Sequence, residues 1–286
     1  MALDELDTEQ VDLTFLYHYL SWRGFSDVVS GSSQPQITQG GLAKVMLNLP
    51  DLIEQKRIAA LLDRAANLRR KRQEAISLAD DFLRAAFIDM FGDTSANNRQ
   101  WPERTIVEIA TVTTGNTPSR DNETYYGNFI EWIKSDNINT ASHWLTAARE
   151  KLSELGASVG RTAPAGSTLM TCIAGSASCI GNVAMTDRKV AFNQQINALT
   201  PRDGIAPEFL YSLLLFSKAR IQSVSTNSMK GMVSKGVLER IPLIWPPEKL
   251  QAQFVEIFQR VQKLRSRMEV ADASSLLTAL QAKLLA

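Results

Sequence analysis

One internal repeat constrains this chain more than any other feature. Phe15-Leu16-Tyr17-His18-Tyr19-Leu20 resembles Phe209-Leu210-Tyr211-Ser212-Leu213-Leu214, an offset of 194 residues (209 − 15). Further on, Ile37-Thr38-Gln39-Gly40-Gly41-Leu42 resembles Val233-Ser234-Lys235-Gly236-Val237-Leu238, an offset of 196 (233 − 37). The same offset pairs Pro50 with Pro246, Gln55 with Gln251, Ile58 with Phe254, Arg64 with Arg260, Leu68 with Leu264 and Arg69 with Arg265. A two-residue insertion reconciles the two offsets. A period this long is a duplicated domain with its following helix, not a solenoid.

The repeat divides the chain into a globular tail, a long helix, a complete globular unit and a second long helix. Residues 51–91 contain no Gly or Pro until Gly92, and their apolar residues recur at steps of three and four: Ile58, Leu61, Ala65, Leu68, Ala75, Ala79, Phe82 and Ala86, interrupted by Arg72. The second stripe is Ile257, Val261, Leu264, Met268, Ala271, Ser275, Thr278, Ala282 and Leu285. Two such stripes predict a long antiparallel pair, since a helix of about 60 Å overruns an ordinary domain. Two unrelated amphipathic helices, each on its own domain, are the alternative. Basic residues lie at matched places: Lys56, Arg57, Arg64, Arg69, Arg70, Lys71 and Arg72, then Arg260, Lys263, Arg265 and Arg267. Such a block is a solvated face or a surface for phosphates or a partner.

Between the helices the pattern is α+β. Phe129–Lys134, Thr168–Ile173, Val183–Met185 and Asn197–Thr200 read as strands, and Ile106–Ala110 and Pro207–Lys218 as helices. Trp132, Ile133 and Trp245 read as core. The 31 Lys and Arg nearly cancel the 30 Asp and Glu, so total charge decides nothing about a nucleic-acid partner. Cys172 and Cys179 with His18 and His143 fit no common zinc spacing, and two cysteines suit a reducing cytoplasm rather than a disulfide scaffold. No apolar run approaches the ~18 residues of a membrane span, and the acidic N-terminus is unlike a signal peptide. Phosphate loops, dinucleotide fingerprints and nucleophile elbows are all missing. Glu131 with Asp136 reads as ordinary surface charge rather than a catalytic pair. The loops are rich in Thr, Ser, Asn, Arg and Lys, side chains that suit base edges and phosphates.

Several motifs then combine. Trp101-Pro102 precedes Val107-Glu108-Ile109-Ala110, and Thr114-Gly115-Asn116-Thr117-Pro118-Ser119-Arg120 follows. Next come Tyr125-Tyr126-Gly127, Ile130-Glu131-Trp132-Ile133-Lys134-Ser135-Asp136 and Phe192-Asn193-Gln194-Gln195. Pro50…Glu54-Gln55…Ile58 opens the first helix, whereas Leu250-Gln251 stands at the same place in the second. Together these resemble the specificity (S) subunits of type I restriction-modification systems.

The resemblance implies an α+β fold: a globular target recognition domain plus two long helices forming an antiparallel coiled coil. Residues 1–50 would be the C-terminal remnant of a first recognition domain, 51–92 the first conserved helix, 100–246 a complete recognition domain and 247–286 the second conserved helix. The implied function is DNA recognition without catalysis. Each recognition domain reads half of a split double-stranded site, the helix pair fixes the gap and binds the methyltransferase (M) subunits, and a restriction (R) subunit completes the complex. The chain itself would bind no cofactor; S-adenosylmethionine, ATP and Mg belong to those partners. The shortened front departs from the pattern and implies either a truncated product or a missing half from another chain, a second copy included. Thr117, Ser119, Arg120, Lys134, Asn137, Asn227 and Lys230 are the expected DNA contacts, with Arg120 and Lys230 on phosphates. The rival readings are the recognition tail of a single-chain restriction-methyltransferase and a coiled-coil scaffold without a DNA role.

Overall fold

The structure is a computed structural model, and it describes residues 6–31, 34–226, 231–270 and 273–285. Its helices in chain order are α1 (Leu13–Arg23), α2 (Gln39–Leu42), α3 (Leu52–Phe91), α4 (Ile106–Ile109) and α5 (Glu154–Val159). They continue with α6 (Pro207–Phe216), α7 (Lys218–Ser223), α8 (Lys235–Glu239), α9 (Glu248–Val270) and α10 (Ala273–Leu285). The fold is mixed helix and sheet, with one uninterrupted helix of 40 residues. Two compact units divide it: Met1–Asp80 with Gln262–Ala286, and Asp81–Val261. The division falls inside α3 and α9, not at their ends.

In the first unit α1 is capped by Asp12, whose carboxylate accepts from the Phe15 backbone N–H at 2.9 Å. Phe15 and Tyr19 share one apolar cluster with Ile58, Ala59, Leu62 and Ala65 of α3 and with Leu277 and Leu285 of α10. Arg265, only 3% exposed, donates to Asp80 at 2.6 Å. The later helices therefore run antiparallel to α3 within this unit, since residue 265 meets 80 while 277 and 285 share one cluster with 58–65. The expected antiparallel pairing is present here.

The repeat extends to hydrogen bonding. Gln55 Nε2 donates to the Pro50 carbonyl and Gln251 Nε2 to the Pro246 carbonyl, both at 2.8 Å. Both glutamines are buried. Thr38 caps α2, and Ser234 occupies the matching cap position of α8. In each copy a buried amide satisfies the carbonyl that precedes the helix, a group that burial would otherwise leave costly.

The seam itself differs from the expected one. Leu68, Phe82 and Leu264 are exposed, while Leu62, Leu83, Phe87, Phe258 and Arg265 are buried. A strict seven-residue repeat drifts by about 20° per heptad on a straight α-helix. By the fourth heptad after Ile58 the buried face has moved, so that Leu83 and Phe87 occupy it in place of Phe82 and Ala86. From Ala66 to Phe82 no residue of α3 is fully buried. The helix thus carries two apolar ends, one in each unit, around a polar middle. Of the expected second helix, Glu248–Val270 and Ala273–Leu285 are helical, and Ala271 of its stripe lies outside the described residues.

The second unit holds two four-stranded sheets. The first places Val183–Met185, Thr168–Thr171, Ile196–Pro201 and Ala110–Thr114 side by side, all antiparallel. In the other, Lys151–Leu152, Tyr126–Ile133, Val190–Phe192 and Thr162–Ala163 are neighbours, with the central two parallel. Ile133, Leu169, Ala184, Val190, Phe192, Ile196 and Ala198 form one core between them. The expected strand Thr168–Ile173 divides at Cys172 into strands of different sheets, and the expected helix Pro207–Lys218 divides at Ser217 into α6 and α7. Ile133 is core as expected, and Trp245 is half-buried against Phe209. At the end of α3, Phe87 meets Phe91, Phe216 and Phe254 with ring centroids 4.5–5.3 Å apart.

Cys172 is buried in this unit, and burial pushes its thiol up to about 12. Cys179 is half-buried in a loop turn. A neutral thiol is a poor nucleophile. Iodoacetamide at neutral pH is therefore expected to label Cys179 in the folded chain and to label Cys172 only after denaturation. Peptide mass mapping reads this directly, and early labelling of Cys172 would contradict the packing.

Candidate nucleic-acid interface

The loop 115–120 leaves the edge strand Ala110–Thr114 through Gly115, whose N–H donates to the Ile196 carbonyl at 3.0 Å. A Cβ on Gly115 would stand 2.1 Å from the Asn193 carbonyl oxygen, so the close approach admits only glycine. The next residues are pinned in turn. Asn116 Nδ2 donates to the Val159 carbonyl at 2.9 Å, and its Oδ1 accepts from the Arg161 N–H at 2.7 Å. Tyr126 donates its hydroxyl to the Pro118 carbonyl at 2.7 Å, and Trp132 Nε1 donates to the Asn116 carbonyl at 3.3 Å. The Gly-Asn-Thr-Pro-Ser run is thus a rigid mount, with Thr117 and Ser119 exposed on its outer side.

Arg120 folds back over two rings. Its guanidinium carbon lies 4.4 Å from the Tyr126 centroid and 4.9 Å from that of Trp132. Lys134 Nζ lies 5.1 Å from the same Trp132 ring. Trp132 is buried, as expected of a core residue, yet its face is also the platform on which both cations rest. Both cations end on Glu150: Arg120 Nη2 meets Oε2 at 2.7 Å and Lys134 Nζ meets Oε1. The hydrogen bonds from Lys134 and then Arg120 hold the Glu150 carboxyl below the usual carboxylate range. Thr117 Oγ1 donates to Gln194 Oε1, which brings the first loop against the exposed glutamine of the Asn-Gln run.

Of the expected contacts, Thr117, Ser119, Arg120 and Lys134 lie on one accessible loop cluster. Asn137 does not join them. It is buried, its Oδ1 accepts from the Lys134 N–H at 3.0 Å, and its Nδ2 donates to Thr146 and to the Ala147 carbonyl. An amide so committed shapes the loop after the Trp-Ile strand and has no free edge to offer a base. Asn227 and Lys230 lie outside the described residues. Gln194 and Glu150 enter the cluster without having been singled out. Gln194 belongs to the Phe192-Asn193-Gln194-Gln195 motif, whereas no sequence signal connects Glu150 with Arg120, thirty positions away. Glu131 is no catalytic carboxylate: Arg188 pairs with it and holds it below its ordinary range, and the Ala148 N–H donates to it at 2.8 Å.

Residues 3–78 and 98–270 match the family described as the type I restriction modification DNA specificity domain. The chain belongs to this family. Within it, the chain is similar to the HindI specificity subunit of Haemophilus influenzae, 28% identical over 177 residues, which are 57% of this chain and 36% of that protein. The MjaIX specificity subunit of Methanocaldococcus jannaschii is 26% identical over 159 residues, 54% of this chain and 36% of that one. The aligned parts thus span about a third of these curated relatives. The fold resembles the crystal structure of a type I restriction-modification S subunit from M. genitalium, with a TM-score of 0.65 at 16% identity over 98% of this chain and 74% of that one. Among the described residues no helix is long and apolar enough to cross a membrane.

Proposed function

We propose that the chain is the non-catalytic specificity subunit of a type I restriction-modification complex, and that it reads part of a bipartite duplex site with the 115–134 loops. One observation carries the reading. Within a domain of the DNA specificity family, two cations stacked on Trp132 and Tyr126 stand beside the exposed polar side chains of Thr117, Ser119 and Gln194. That is the mixture a DNA surface needs, with positive charge for phosphates and short polar groups for base edges. α3 and α9 would carry the methyltransferase subunits, which supply S-adenosylmethionine, while a restriction subunit supplies ATP and Mg chemistry. The complex would work in the cytoplasm, where chromosomal DNA is.

The repeat supports a second recognition domain in that complex. Tyr17 is 68% exposed, but its counterpart Tyr211 is 1% exposed and bonded through its hydroxyl to His143 Nδ1 at 2.6 Å. Ile37 and Leu49 are exposed too, whereas Val233 is buried and Trp245 half-buried. In the second copy the unit Asp81–Val261, read here as a recognition domain, covers this face. The first copy would take an equivalent domain, from a longer form of the chain or from another polypeptide, a second copy included.

Methylome sequencing of cells that co-express the chain with its methyltransferase subunit tests the proposal. A split motif carrying methyladenine is the expected result, and a palindromic motif would identify a second copy as the partner. Absence of new methylation from cells that contain the soluble complex would overturn it. In the purified complex, Arg120→Ala is expected to weaken binding to every duplex that carries the motif by a similar factor and to reduce the salt dependence of that binding by about one. A change confined to one base position would instead make Arg120 a base reader.

A further inference from the structure

Arg120 and Lys134 approach the same carboxylate from two sides, with one Glu150 oxygen committed to each. Their charged ends also share the Trp132 ring, so the three groups form one fixed cluster with a net charge of plus one rather than two separate cations. The cluster is open to a ligand: the side chains of Arg120, Lys134 and Glu150 are 54%, 34% and 38% exposed. The Glu150 carboxyl is held below the usual carboxylate range, so the neutralising charge persists across the neutral range.

We infer that Glu150 is a specificity-determining residue that withholds Arg120 and Lys134 from DNA phosphates unless base contacts accompany them. This inference rests on the DNA-recognition role proposed above. Its physical basis is that non-specific binding comes almost wholly from cations that neutralise phosphates. A phosphate approaching this cluster must displace a carboxylate already in place, and it leaves that carboxylate beside the phosphate as a like charge. At a non-cognate duplex nothing offsets this. At the cognate site, base-edge contacts from the neighbouring loops do. Specificity is a difference between affinities, and a built-in repulsion widens the difference without any new attraction. Glu150 touches neither the bases nor the reacting groups in this scheme; it acts through its two partners.

The test uses the complex with its methyltransferase subunits, on duplexes with and without the motif found by methylome sequencing. Glu150→Gln keeps the shape and the acceptor oxygen but removes the charge. It is expected to raise affinity for the non-cognate duplex several-fold and to steepen its salt dependence by up to about two. The cognate-to-non-cognate ratio should fall, and Glu150→Asp should restore it in part. Thermal unfolding should hardly change, because an exposed ion pair contributes little stability. If Arg120→Ala weakens binding while Glu150→Gln leaves non-cognate affinity unchanged or lower, the inference about Glu150 fails and the recognition surface stands. If neither substitution alters DNA binding, the surface itself is misplaced and both fail.

Discussion

Phe87→Ala is expected to destabilise the unit Asp81–Val261 by about 3–5 kcal/mol, the usual cost of truncating a fully buried phenylalanine. Phe87 is wholly buried, and it meets Phe91 of its own helix, Phe216 at the end of α6 and Phe254 of α9. Removing the ring leaves a cavity between three elements that are each held from elsewhere, so they have little freedom to collapse into it. The melting temperature should fall on the order of 10 °C. Phe82→Ala is the matched control, because Phe82 is exposed on the same helix and should change stability by less than about 0.5 kcal/mol. Denaturant titration of both variants decides which phenylalanine faces the core. Equal losses would contradict the packing described here.

Gly115→Ala should have the next largest effect, at the proposed DNA face. The added methyl would stand 2.1 Å from the Asn193 carbonyl oxygen and 2.6 Å from that of Phe192. Both are backbone atoms bordering the central strands, so they cannot swing aside as a flexible side chain could. The loop 115–120 must move instead, which costs about 1–3 kcal/mol by the usual scale of overpacking. Thr117, Ser119 and Arg120 ride on that loop, and DNA recognition should be lost with it. Gly236→Ala provides the contrast. It lies in α8 with open space where the Cβ would go, and it should be neutral or stabilising by up to about 1 kcal/mol. Denaturation and methylation in cells read the two effects separately. A Gly115→Ala protein that still methylates the same motif would show that the loop does not position the readout.

The duplication was legible because it leaves the same marks twice. Gln55 and Gln251 hold equivalent prolyl carbonyls, so the offset that aligned the residues also aligned their hydrogen bonds. The long helix was legible for a simpler reason: residues 52–91 contain neither Gly nor Pro. The register of its buried face was not. A heptad read along the sequence assumes a supercoil, whereas α3 keeps a straighter period that brings Leu83 and Phe87 inward and leaves Phe82 outside. The strand Val190–Phe192 escaped notice because it is short and buried on both faces, so no alternation marks it. At the candidate interface, Arg120 and Lys134 were visible as loop cations, but Asn137 looked like a reader when its amide in fact ties the loop to itself.

By itself the sequence determined the α+β class, the repeat at the starts of the two long helices, the 40-residue helix and the family. Each of these depends on local composition, periodicity or residue order, which the chain carries wherever it is read. Tertiary structure alone decided which helix face is buried, and it alone brought Glu150 to Arg120 and Lys134 across the Trp132 ring. The reason is that charge pairing and burial act through space. A carboxylate thirty residues from a guanidinium has no sequence relation to it until two loops and a strand place them 2.7 Å apart.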